Sequence, residues 1–351
     1  MSEPGPAPSY LSPIASIAEP VYRAAIAKRN RAFDRGKRVS TASIPVISIG
    51  NLSVGGTGKT PVVMHVVLLL RELWKSPGIA MRGYKASPGA LSDEQAEYLD
   101  RLPSVPIVAN PDRVSGVKKL AGKLGADCAV LDDGFQHRFI ARDLDVVLID
   151  ATRSPFNDRC LPAGWLREPV SSLDRAGAVV VTRADRVSEA RLNELVAQIE
   201  AQTGKPPTAI TTHTWEGLTV AADGVIRDAN SLNGARVLVA CAIGNPLAFV
   251  NQVSAAGAEV AMRVVKRDHH QWSKADAAAL IERASKSDID ALLVTHKDWV
   301  KLREVIAEDD PILSKTLYPR VGIGFIEGAK ALRKLIALAV RAPDESGAGP
   351  A

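Results

Sequence analysis

The stretch SIGNLSVGGTGKTP, residues 48–61, decides the fold. It ends in Gly58-Lys59-Thr60, as a phosphate-binding loop does, yet the strict G-x-x-x-x-G-K-[ST] pattern wants glycine where this chain has Ser53. The flanks favour a phosphate cradle. IPVISIG (44–50) is a short β-branched run that reads as a buried strand. PVVMHVVLLLREL (61–73) reads as a helix, with Pro61 acceptable in its first turn. Between them, Ser53, Val54, Gly55, Gly56, Thr57, Gly58, Lys59 and Thr60 form the candidate nucleotide loop. Its glycines let backbone N–H groups turn inward, Lys59 can reach the outer phosphates, and the Thr60 hydroxyl can ligate Mg²⁺. The alternative is a plain strand-to-helix turn, and Gly-Lys-Thr in register argues against it.

The chain has 351 residues, enough for two domains with proper cores. Apolar content of 46% and charged content of 24% are those of a globular protein, and the net charge of +5 is modest. Cys128, Cys160 and Cys241 are far apart and match no zinc or disulfide framework, which suits a reducing cytoplasm. PGPAPSY precedes the first apolar residues and the basic cluster follows them, the reverse of a signal peptide. No apolar run reaches bilayer-spanning length.

Residues 10–38 stand apart. Leu11, Ile14, Ile17, Val21 and Ala25 recur at helical spacing, and Arg23, Lys28, Arg29, Arg31, Arg35, Lys37 and Arg38 crowd the later part. Pro13 and Pro20 are expected to split the segment into two helical pieces. An apolar stripe beside basic residues suits a helix lying on an anionic membrane surface. The bland alternative is a helix packed on its own domain with a solvated basic face. Nucleic acid is disfavoured, because no aromatic platform accompanies the charges.

Beyond the loop, apolar runs alternate with helical patterns. ADCAVLDDG (126–134), DLDVVLIDA (143–151) and AGAVVVTRAD (176–185) read as buried parallel strands, and SEARLNELVAQIEAQTG (188–204) as an amphipathic helix ended by glycine. The expected fold is α/β: a phosphate-loop NTPase-like, mostly parallel sheet flanked by helices, a second smaller α/β domain and the N-terminal amphipathic segment. The expected divisions are 1–38 for that segment, 39–207 for the phosphate-loop core, and 208–231 for a strand-rich connection turning near Asp223-Gly224. Residues 232–341 form the smaller domain, followed by a disordered tail, 342–351.

LDDGFQH (131–137) follows an apolar strand, and carboxylates at a strand's C-terminal end are where phosphate-loop enzymes hold Mg²⁺. Asp132 and Asp133, being adjacent, point different ways, so one faces the metal and the other serves structure; which is which stays open. Arg82 and Arg167 can each meet a phosphate or a structural carboxylate. His137 either orients the metal carboxylates or is a satisfied core histidine. Ser92-Asp93-Glu94-Gln95 has the form of a helix capping box.

Eight blocks in order carry a resemblance: the opening loop, RGY (82–84), SDE (92–94), LDDGFQHR (131–138), LPAGWLREP (161–169), IGNP (243–246), DHH (268–270) and VTHKD (294–298). Together, over about residues 10 to 335, they resemble the tetraacyldisaccharide 4'-kinase family of lipid A biosynthesis. The LDDGFQHR and LPAGWLREP blocks are far more specific than the loop, and the family loop likewise has a hydroxyl residue at the place of Ser53. The resemblance implies ATP-dependent transfer of the γ-phosphoryl to the 4'-hydroxyl of a tetraacylated glucosamine disaccharide 1-phosphate. It implies peripheral attachment at the cytoplasmic face of the bacterial inner membrane, with an acylated lipid substrate, an anionic membrane surface and no obligate protein partner. It also implies Lys59 and Thr60 on phosphate and Mg²⁺, Asp132 or Asp133 at the metal, and Asp93 supported by His269 as acceptor of the alcohol proton.

The chain departs from the family pattern at Ser92, for a glycine, at Trp165, for proline or methionine, and at His296, for a glutamate. Two other classes compete. TRAD (182–185) superficially resembles the guanine-reading T-K-x-D of a GTPase, but a switch-type D-x-x-G ending at Gly134 would need Asp where Leu131 stands. A membrane-surface nucleotide-binding scaffold without turnover would have no use for Asp93 and His269.

Overall fold

The computed structural model describes residues 12–83, 91–268 and 270–341. Leu11, His269 and the expected disordered tail lie outside them. In chain order the elements begin with α1 (Ser12–Asp34), β1 (Val46–Asn51), α2 (Lys59–Glu72), β2 (Pro77–Met81), α3 (Asp93–Arg101), β3 (Ile107–Ala109) and α4 (Arg113–Leu124). Then come β4 (Cys128–Asp132), β5 (Leu144–Asp150), β6 (Ala178–Thr182), α5 (Glu189–Thr203), β7 (Ala209–Val220), β8 (Ile226–Arg227) and β9 (Arg236–Cys241). The last are α6 (Pro246–Ala255), β10 (Glu259–Val265), α7 (Lys274–Lys286), β11 (Ala291–Val294), α8 (His296–Leu302), β12 (Thr316–Glu327) and α9 (Ala329–Ala339).

The chain forms two compact units. The first holds a parallel sheet ordered β7-β6-β5-β1-β4-β2-β3. Every residue of β1, β2, β4 and β6 is buried, so both faces of these strands are covered and their residues are mostly apolar rather than alternating, with Asn51, Asp132 and Thr182 at the C-terminal ends of β1, β4 and β6. Helix α2 packs on β1, β2, β4 and α9 and buries Val62, Val63, Val66 and Val67 with Met64, Leu69 and Leu70. Each valine disfavours helix by about 0.5 kcal/mol. Its burial is worth about 1.5–3 kcal/mol, so packing decides the conformation. The second unit orders β10-β9-β11-β12 in parallel, with β12 beside β7 and β8 returning antiparallel along β7 past the Asp223-Gly224 turn.

Two features differ from the sequence expectation. The units are not consecutive: residues 91–100, with α3, belong to the second unit, and residues 323–341, with α9, return to the first. The chain crosses between the units within β7 and β12, each twelve residues long, and α9 then packs on α2. Second, α1 is one helix running through Pro20. Pro13 falls in the first turn, where no intrahelical bond is lost. Around Pro20 tertiary bonds hold the helix: Glu19 accepts from the Cys160 N–H at 3.1 Å and pairs with Arg159, and the Tyr22 hydroxyl donates to the Arg167 carbonyl at 2.9 Å.

Candidate active site

The loop leaves the C-terminal end of β1, crosses to α2, and is held on two sides. Val54 N–H donates to the Trp165 carbonyl at 2.8 Å and Arg167 N–H to the Leu52 carbonyl at 2.7 Å, with Ser53 and Leu166 paired antiparallel between them. Ser53 is therefore in extended backbone and has no positive φ, which is why a hydroxyl residue serves where the strict pattern has glycine. On the other side the Thr182 hydroxyl donates to the Thr57 carbonyl at 3.0 Å. Gly58, at φ 78, is a true glycine position: a Cβ there would lie 2.4 Å from His213 Nε2.

Lys59, the first residue of α2, directs its ammonium to Asn51 Oδ1 at 3.2 Å and Asp133 Oδ1 at 3.3 Å. Asp133 has a left-handed backbone, φ 55, and also accepts from Arg167 Nη1 at 2.8 and 3.0 Å. Burial alone would raise this carboxyl's pKa, but Lys59 and Arg167 outweigh it and bring it down to about 2. Gln136 Nε2 donates to the Asn51 carbonyl at 2.9 Å, tying LDDGFQHR to the start of the loop.

Asp132 ends β4, is 6% exposed, and stands in register with Ile49 of β1 beside the loop. The two adjacent carboxylates thus separate in kind: Asp133 is engaged by Lys59 and Arg167, and Asp132 occupies the strand terminus. Thr60 follows Lys59 in the first turn of α2. A hydroxyl and one carboxylate are hard oxygen donors, few in number, as Mg²⁺ requires when phosphate oxygens and water complete its shell. No group of three His, Cys, Asp or Glu ligands occurs among the described residues, so the donor set fits Mg²⁺ bound with phosphate rather than a closed protein cage.

Further cations act on this centre. Arg82, exposed just after β2, acts electrostatically on both Arg113 and His137. Arg113 is buried, 4% exposed, and feels both Asp132 and Asp133. Burial, with Arg113 and Arg142 nearby, pushes the His137 pKa down to about 4, so its imidazole is neutral at pH 7. Glu168, 0% exposed, receives Arg29, Asn30 and Arg175, which locks α1 to LPAGWLREP. Trp165 carries the Arg153 guanidinium 4.2 Å from its ring centre.

Sequence reasoning passed over Asn51, Gln136, Arg113 and His213. Asn51 lies inside SIGNLSVGGTGKTP and Gln136 inside LDDGFQHR, so both carried a signal; His213, early in a β-strand, carried none. Of the expected residues, Lys59, Asp133 and Arg167 are in direct contact, and Asp132 and Thr60 flank them by position in the same unit. Asp93 belongs to the second unit, at the start of α3, where Ser92 Oγ accepts from the Gln95 N–H at 3.2 Å. Asp298 is structural, accepting from Trp272 Nε1, the Thr295 hydroxyl and the Ala242 N–H. Arg183 of TRAD is committed to an ion pair with Asp150.

The sequence model of the family described as LpxK, Tetraacyldisaccharide-1-P 4'-kinase, matches residues 10–340. The chain belongs to the tetraacyldisaccharide 4'-kinase family. A tetraacyldisaccharide 4'-kinase of Anaeromyxobacter dehalogenans strain 2CP-C is 37% identical over 324 residues, covering 87% of this chain and 85% of that protein. One from Syntrophotalea carbinolica is 36% identical, with 74% of each chain covered. The crystal structure of an LpxK from Aquifex aeolicus, described as an "apo" form in complex with ATP, superposes with a TM-score of 0.71 at 29% identity, covering 95% of this chain and 99% of that one. As a member of the tetraacyldisaccharide 4'-kinase family the chain is an enzyme, an ATP-dependent kinase acting at the 4'-position of its disaccharide in lipid A biosynthesis.

Proposed function

We propose that the triphosphate of ATP lies along residues 53–60, with Lys59 on its outer phosphates and Thr60 and Asp132 as the protein ligands of Mg²⁺. The observation that carries this reading is the Lys59 ammonium, held 3.2 Å from Asn51 and 3.3 Å from Asp133 beside the loop. Two partners keep an otherwise flexible side chain oriented before substrate arrives, so less ordering is left to the reaction. Asp133 and Arg167 act here as the setting for Lys59, Arg82 and Arg113 belong to the surrounding cationic field that favours an anionic substrate, and His137 lies among them as a neutral imidazole. When bound, Mg²⁺ neutralises charge on the β- and γ-phosphates.

The chemistry is a phosphoryl transfer. The 4'-oxygen forms its bond to the γ-phosphorus, the bond from that phosphorus to the β–γ bridging oxygen breaks, and ADP carries away the electron pair. The hydroxyl proton passes to Asp93, with His269 as its supporting histidine.

The tetraacylated disaccharide 1-phosphate is read as the acceptor, met at the cytoplasmic face of the inner membrane. Supporting this is α1: its docked face carries Ala15, Glu19 and Phe33, while Ile14, Ile17 and Val21 are 63%, 77% and 72% exposed. The apolar stripe is thus not spent on the fold, and Arg23, Lys28, Arg31 and Arg35 lie on the same helix or just past it. No helix among the described residues is long and apolar enough to cross a membrane, so α1 is read as lying on the surface. Lipid phosphorylation by wild type, by Lys59→Ala and by Asp132→Asn tests the site: each variant should lose at least ~100-fold in kcat. Near-normal turnover of either would refute its role.

A further inference from the structure

Within the second unit, α3 and α8 meet through a row of charges about two hundred residues apart in sequence. Asp93, Glu97 and Asp100 share one face of α3, because positions four and seven residues on return to the same side of a helix. From α8, Lys301 Nζ lies 3.3 Å from Asp93 Oδ2, Lys297 Nζ lies 3.5 Å from Glu94 Oε1, and His296 Nε2 lies 3.1 Å from Asp100 Oδ2. The rungs are not equal. The Lys301 side chain is 11% exposed and that of Lys297 39%, so the bond to Asp93 is the better shielded of the two lysine pairs. Helix α8 is itself fixed, since Trp299 stacks on Tyr318 at 5.7 Å between ring centres and His296 meets the same ring edge-on at 5.2 Å. A side chain that hangs from an anchored helix and reaches the first residue of α3 is placed to set that residue's orientation.

We infer that Lys301 is a positioning residue for phosphoryl transfer, fixing where the Asp93 carboxylate points when it takes the acceptor's proton. The inference rests on the reading of Asp93 as proton acceptor. At the far end of the row His296, which departs from the family's glutamate, meets Asp100 at 3.1 Å, a contact a glutamate could not make without repulsion.

Lys301→Met keeps most of the apolar stem while removing the ammonium. It should lower kcat about 10- to 100-fold, leave KM for ATP within about twofold, and be substantially rescued by Lys301→Arg. Combined with Asp93→Asn, it should add little to the loss caused by Asp93→Asn alone, because residues acting through one group are non-additive. His296→Gln, at the other end of the row, should stay within about threefold of wild type. If Asp93→Asn is inactive while Lys301→Met turns over at the wild-type rate, the positioning role is overturned and the proton-acceptor reading stands. A Lys301→Met loss that adds fully to that of Asp93→Asn, or that appears equally in KM for ATP, overturns it as well. Near-wild-type turnover by Asp93→Asn removes the proton-acceptor reading itself.

Discussion

Arg167 holds Asp133 through one guanidinium nitrogen, 2.8 and 3.0 Å from the two carboxylate oxygens, while its backbone N–H holds the Leu52 carbonyl at 2.7 Å. One residue therefore ties the carboxylate that orients Lys59 to the strand end from which the loop departs. Arg167→Met should leave Asp133 with Lys59 as its main cation and draw the ammonium away from phosphate. We expect kcat to fall about 10- to 100-fold, or ~1.4–2.7 kcal/mol in the barrier, with a smaller effect on thermal stability. Steady-state kinetics beside a thermal melt checks this; a large loss of stability with unchanged kcat in the surviving protein would assign Arg167 to structure alone.

Two histidines should make the fold sensitive to mild acid. Burial first, then nearby arginines, holds His137 and His213 at about 4, below the ordinary 6.5. A histidine with a depressed folded-state pKa contributes stability that is complete above 6.5, declines as the unfolded chain begins to bind the proton, and is lost as pH falls through 4. Melting temperature should therefore drop between pH 6.5 and 4, and His137→Gln and His213→Gln should each flatten that slope. Asp133, held at about 2, adds its own loss only below about pH 4. Parallel slopes for wild type and both variants would show that these imidazoles do not carry the linkage.

Gly58 is constrained twice, by φ 78 and by the His213 ring. Gly58→Ala should lower activity by more than ~100-fold, since a left-handed alanine costs about 1–2 kcal/mol and the clash displaces the loop further. Combining it with His213→Ala removes the clash and leaves the backbone cost, so activity should recover in part. No recovery in the double variant would mean that the backbone conformation alone accounts for the loss.

The phosphate-loop unit was legible because its signals are local: a β-branched run, glycines at fixed offsets, Gly-Lys-Thr, and an apolar strand ending in two aspartates. Ser53 looked like a defect only because the strict pattern encodes a conformation that this loop does not use; its pairing with Leu166 comes from more than a hundred residues away. The different surroundings of Asp132 and Asp133 were illegible for a similar reason, since Arg167 and Lys59 converge on Asp133 only in the fold. The linear division of the chain failed at α3 and α9, whose allegiance is set by tertiary partners: Lys297 and Lys301 for α3, and α2 for α9. Pro20 misled in the same way, because bonds from Glu19 and Tyr22 support α1 as one continuous helix through it.

The two faces of α1 can be separated by substitution. Ile17→Glu alters a residue that is 77% exposed and should leave the melting temperature within a few degrees while weakening sedimentation with anionic vesicles. Glu19→Ala removes a buried partner of Arg159 and the Cys160 N–H and should destabilise by about 1–3 kcal/mol, with vesicle binding retained by the folded fraction. Unchanged vesicle binding by Ile17→Glu, in low and in high salt, would detach this helix from any membrane role.

The most direct measurement follows the γ-phosphorus itself. Wild-type protein, γ-labelled ATP, Mg²⁺ and a tetraacyldisaccharide 1-phosphate are incubated, the lipid is extracted, and the position of the new phosphate is read by mass spectrometry and phosphorus NMR. The label should appear on the 4'-oxygen as a phosphomonoester, in a one-to-one ratio with ADP formed, and Lys59→Ala should lower its rate at least ~100-fold. ATP hydrolysis without label in the lipid, label at another oxygen, or undiminished labelling by Lys59→Ala would contradict 4'-phosphorylation at this site.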